Sequence, residues 1–108
     1  MGRYITSTLN FSTTVVETGI SYAANVNDRV LCTAGGITIT LPANATLLTG
    51  DTVQIVDVGG NASTSSITVA RNGSNIQGLA EDLTIDINNS APVLVYTGAT
   101  YGWIISGS

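Results

Sequence analysis

Apolar residues recur at every second position in short runs along this chain. Ile37-Thr38-Ile39-Thr40-Leu41 places Ile37, Ile39 and Leu41 on one face and the threonines on the other. Leu83-Thr84-Ile85-Asp86-Ile87 repeats the scheme, and Ser66-Ile67-Thr68-Val69 is a shorter version. A period of two is the mark of a half-buried strand, because successive side chains in a strand point to opposite faces. Val93-Leu94-Val95-Tyr96-Thr97 and Trp103-Ile104-Ile105 are apolar on both faces, and Thr52-Val53-Gln54-Ile55-Val56-Asp57-Val58 is nearly so. Such strands need cover on both sides, from a second layer or from another subunit.

The runs are separated by Gly35-Gly36, Gly59-Gly60-Asn61, Asn72-Gly73 and Asn88-Asn89. Gly and Asn tolerate the positive φ of tight turns. Pro92 opens a run, where its missing N–H costs least. No window carries a helical stripe, although Gly78-Leu79-Ala80-Glu81-Asp82 fits one helical turn or a connecting loop. The pattern predicts an all-β fold, a compact antiparallel sandwich or barrel-like domain of about eight to ten short strands. The expected core is Ile39, Leu41, Val53, Ile55, Ile67, Val69, Leu83, Ile85, Ile87, Val95 and Ile105.

Residues 1–20 read differently from the body at 21–108. They are strand-prone and polar, with scattered anchors at Tyr4, Ile5, Leu9, Phe11 and Val15-Val16. The segment is expected to be an extended N-terminal arm that docks on a partner strand, with Tyr4, Ile5, Leu9 and Phe11 as the docking side chains, or an edge strand of the body. The doubly apolar runs favour burial between copies, so the domain is expected to associate with copies of itself.

Composition narrows the chemistry. Among 108 residues there are three Arg, no Lys and no His, and the net charge is −4. A basic face for nucleic acid is not available. Acid–base work by His, a Lys Schiff base and a P-loop lysine are all excluded. The first twenty residues contain no apolar core of a secretion signal, and no run approaches the ~18 apolar residues of a membrane span. Neither a membrane nor a nucleic-acid partner is expected, and no cofactor or metal. Cys32, the single cysteine, reads as a small buried thiol.

Few constellations are left for a site. Glu81 and Asp86 are the best-spaced pair of carboxylates for glycoside hydrolysis, but each fits an ordinary turn or strand position. Asp57-Val58-Gly59-Gly60-Asn61 and Asp86-Ile87-Asn88-Asn89 offer oxygen ligands without the spacing of a calcium loop. The Thr38/Thr40 pair is not repeated rung after rung, as a flat ice-binding face requires. Tyr101 and Trp103 read as a strand end packing its rings into the core; the alternative reading is an aromatic platform for a glycan. The expectation is a non-enzymatic protein.

The stretch from Gly78 to Asn89, followed by Val93-Leu94-Val95-Tyr96 and Gly102-Trp103, resembles a β-rich module of virion fibre and decoration proteins of tailed bacteriophages, especially those infecting marine cyanobacteria. The upstream order is similar too: Ile37 to Pro42, Gly50-Asp51-Thr52-Val53, Asp57 to Asn61, Ser66 to Val69, and Arg71-Asn72-Gly73. The resemblance covers about residues 30–105. It implies a structural protein of the virion surface, made in the host cytoplasm, homotrimeric and without catalytic residues. The short segment ahead of the module favours a capsid decoration (cement) protein whose partner is the major capsid protein or another virion protein. The alternative is a tail- or head-fibre knob that binds a host receptor or glycan.

Overall fold

Alternating Thr and β-branched apolar residues produce strands because a branched side chain packs well on a pleated surface. The computed structural model of the protein describes residues 13–107. Among these described residues there are nine strands: β1 (Thr14–Thr18), β2 (Tyr22–Ala23), β3 (Asp28–Cys32), β4 (Thr38–Thr40), β5 (Thr52–Asp57), β6 (Ile67–Ala70), β7 (Leu83–Ile85), β8 (Val93–Tyr96) and β9 (Trp103–Ser106). The one helical element among the described residues is a 3₁₀ turn at Asn44–Thr46. Residues 78–82 form a loop and no helical turn.

The strands lie in two sheets, a five-strand sheet ordered β1-β3-β5-β8-β9 and a four-strand sheet ordered β2-β4-β6-β7. From β1 to β6 the chain crosses between the sheets at every connection. Each strand therefore returns beside its predecessor running the same way. β1–β3, β3–β5, β2–β4 and β4–β6 are all parallel. Only the last three strands reverse, giving antiparallel β5–β8, β6–β7 and β8–β9. The expected antiparallel arrangement is thus corrected: both sheets are mixed, and neither closes into a barrel. The coils are unequal, with Thr14 beside Asp28 but Arg29 beside Gln54, which explains why no fixed-period repeat is visible in the sequence.

The inward faces meet in a single core. Val30, Cys32, Val53, Ile55, Leu94, Tyr96 and Trp103 come from the five-strand sheet, and Ile39, Ile67, Val69 and Ile85 from the other. Trp103 is fully buried, with its ring edge-to-face against Tyr96 at 5.4 Å between centroids. At Gly102 (φ +71°) an added Cβ would lie 2.0 Å from the Asn75 carbonyl oxygen, so only glycine lets the strand enter here.

Seven of the eleven expected core residues are buried: Ile39, Leu41, Val53, Ile55, Ile67, Val69 and Ile85. Leu83 and Ile105 are partly buried against the core. Two require correction. Val95 points outward, because the β8 pairing turns Leu94 and Tyr96 inward. Ile87 is 71% exposed, because β7 ends at Ile85, opposite Ile67 at the start of β6, and no β6 residue remains to pair with it.

Candidate functional site

Surfaces rather than a catalytic cleft dominate this molecule, and the first are sheet edges. β1 ends the order of the five-strand sheet; it pairs with β3 on one side and with no described strand on the other. Thr14 is tied down by its N–H donating to Asn27 O at 3.0 Å. Asn27 holds φ 69°, which turns the chain into β3. Tyr4, Ile5, Leu9 and Phe11, the expected docking side chains, lie outside the described residues. The segment that would carry them runs directly into β1.

At the other end of the fold, Gln77 covers part of the β9 edge. Its backbone N–H donates to Trp103 O at 2.7 Å, and its side-chain Oε1 accepts the Ile105 N–H at 3.0 Å. Beside this edge lies an apolar groove of about 130 Å³, lined by Leu83, Ile85, Ile87, Pro92 and Ile105. The alternating pattern gives no sign of the groove, because strict alternation through Ile87 places that side chain in the core. A smaller polar pocket of about 90 Å³ sits beside Thr13, lined by Asp28, Arg29 and Gln54 among others. Tyr22 Oη donates to Asp28 Oδ2 at 2.8 Å, and Asn25 N–H donates to the same oxygen at 2.8 Å. The bond to Asp28, burial and the Asp28 charge together raise the Tyr22 pKa above its ordinary 10.0.

The aromatic pair does not form a platform. Tyr101 is 63% exposed in the turn before β9, whereas Trp103 is sealed in the core. The positive φ at Gly102 separates the two side chains. Of the two carboxylates considered for glycoside hydrolysis, Glu81 lies in the exposed loop before β7 and Asp86 is exposed just after it. Asp82 Oδ1 accepts the Arg71 N–H at 3.0 Å and serves as a loop tie.

Asp57 is the strongest polar feature, and its alternation with Val53 and Ile55 points it inward. Its carboxylate accepts N–H groups from Ala62 at 3.0 Å, Asn89 at 3.1 Å and Asn61 at 3.3 Å. Burial pushes its pKa up, but the N–H groups of Asn89, Ala62, Asn61 and Gly60 outweigh it and hold the acid below its ordinary 3.8. The Asp57 oxygens are therefore turned to backbone donors. Asn88 Oδ1 is likewise taken, by the Ser63 N–H at 2.8 Å. Among the described residues no three His, Cys, Asp or Glu side chains gather as metal ligands.

Cys32 lies in the same core, and burial together with the Asp57 charge pushes its thiol up to about 11. A thiol so raised is protonated at neutral pH and is a poor nucleophile. No helix among the described residues is long and apolar enough to cross a membrane. No protein-family model matches the chain, and no curated protein matches it.

Proposed function

We propose that this chain is a non-enzymatic structural protein of a bacteriophage virion, a capsid decoration protein that binds the head surface as a homotrimer. The observation that carries the reading is the position of β1. It is an edge strand whose outer row of N–H and C=O groups has no described partner, and it continues directly from residues 1–12 with their four spaced anchors. A sheet edge without a described partner, preceded in the chain by an apolar-studded segment, suits strand addition, in which main-chain hydrogen bonds give affinity and alternate side chains give specificity.

Two further features support it. The order of turn and strand motifs resembles that of phage virion modules. The outward face of the four-strand sheet is built from Ala23, Thr38, Thr40, Thr68, Ala70 and Thr84, an uncharged surface with no ion pairs for salt to screen. The glycan-knob alternative loses its main support with Trp103 in the core.

The test is co-sedimentation with undecorated heads, using full-length protein and a variant lacking residues 2–12. The proposal expects the full chain to pellet with heads and the truncated chain to stay folded and in the supernatant. Head binding by the truncated form would move the attachment surface to the β-body and overturn the arm's role.

A further inference from the structure

The two outward faces of the fold differ in kind. The four-strand sheet shows threonine and alanine to the outside, as described above. The five-strand sheet shows Leu31, Val56, Val93, Val95 and Ile104, all half-buried. The register places them together. Leu31 sits beside Val56, and Val95 lies between Thr52 and Ile104. Val93 lies between Gln54 and Ser106 in the next outward row. Their inward neighbours fill the core, so this outer layer is a second apolar surface on the same strands, and no strand of the described residues lies over it.

Charge identifies the occupant. The chain carries a net −4, a balance that opposes contact between copies. This face is the exception. Its two charged residues are Glu17 on the edge strand β1 and Arg29 on β3, between Val15 and Gln54, one of each sign and both exposed. Arg29 Nε donates to Gln54 Oε1 at 2.7 Å, which lays the guanidinium along the sheet toward β5. Asp51, Glu81, Asp82 and Asp86 lie outside the strands of this sheet. A largely apolar face with few charges has the composition of an interface core, and one acid with one base leaves it without the net repulsion that the rest of the chain sets against a second copy. A foreign partner would have no reason to match that balance; a second copy matches it by symmetry.

We propose that the outward face of the five-strand sheet is the contact between copies of this chain. Val56, Val93, Val95 and Ile104 are buried between copies, and the opposite charges of Arg29 and Glu17 keep the face electrically neutral. The inference rests on the oligomeric part of the proposed function and assigns it a surface, leaving the outer edge of β1 to the capsid.

Sedimentation velocity of the full chain at micromolar concentration tests it. The wild type is expected as a single oligomer. Val95→Glu with Ile104→Glu should weaken self-association roughly thirtyfold or more, leaving monomer with an unchanged far-UV spectrum. Thr68→Glu with Thr84→Glu, on the opposite outward face, should leave the oligomer intact. Arg29→Glu, at an exposed position that does not threaten folding, should weaken assembly, and adding Glu17→Arg should restore it. An oligomer that survives both the Val95/Ile104 and the Arg29 changes overturns this surface while leaving an oligomeric decoration protein in place. A monomeric wild type overturns the oligomer itself. So does a monomer that assembles only after residues 2–12 are removed, which would mean that the chain's own arm covers the face. Head binding is read separately, by co-sedimentation.

Discussion

Asn89 holds Asp57 from two directions: its backbone N–H donates to the Asp57 carboxylate at 3.1 Å, and its side-chain Nδ2 donates to the Asp57 backbone oxygen at 3.2 Å. The same carboxylate accepts the N–H groups of Asn61 and Ala62. One buried acid thereby ties the turn after β5 to the connection between β7 and β8, joining the parallel part of the fold to the antiparallel part.

Asp57→Ala should therefore be among the most destabilising single changes. Each buried N–H left without a partner costs about 1–3 kcal/mol, so a total loss of at least about 3 kcal/mol is expected in equilibrium denaturation. Asp57→Asn keeps the shape and should cost less. The acid is held below its ordinary 3.8, so its contribution is fully present above that value and declines as pH falls through the lower folded-state pKa. The stability gap between wild type and Asp57→Asn should be constant from pH 7 to about 4 and narrow below 3.8. A gap that widens on acidification would contradict the clamp.

The phase of β7 is tested by two neighbouring isoleucines. Ile85 is 5% exposed and Ile87 is 71% exposed. Ile85→Ala should cost about 2–5 kcal/mol, whereas Ile87→Ala should stay within about 0.5 kcal/mol. Equal losses would mean that the strand continues past Ile85.

Cys32 gives a chemical readout of core integrity. Buried and with its thiol raised to about 11, it should resist alkylation at pH 8 in the folded protein and react promptly in denaturant. Rapid labelling under native conditions would show that the β3–β5 region opens easily.

The residues made the strands legible, but not the way they pair. Ile39, Ile67 and Val69 alternate with threonine, and polar neighbours fix which face goes inward. In Val93-Leu94-Val95-Tyr96 every residue is apolar, so periodicity carries no phase, and only pairing with Val53 and Ile105 chooses Leu94 over Val95. Parallel pairing was hidden for a different reason. It arises because the connections cross between sheets, and turn residues such as Gly35-Gly36 do not record which sheet comes next.

Asp57 carries a readable signal. A lone acid at the inward position of an otherwise apolar alternation, followed by Gly-Gly-Asn, marks a carboxylate that caps its own turn. Tyr101 and Trp103, two apart in sequence, would share a face in a regular strand. Gly102 at positive φ breaks that relation, and the glycine between them was the only hint.

The most direct measurement is an electron cryomicroscopy map of the intact particle into which this domain is fitted. The account predicts symmetric clusters of the domain on the head, copies touching through the outward face of the five-strand sheet, with β1 and the chain ahead of it alongside a capsid strand. Density for the domain at a fibre tip, or no density for it anywhere on the particle, would contradict it.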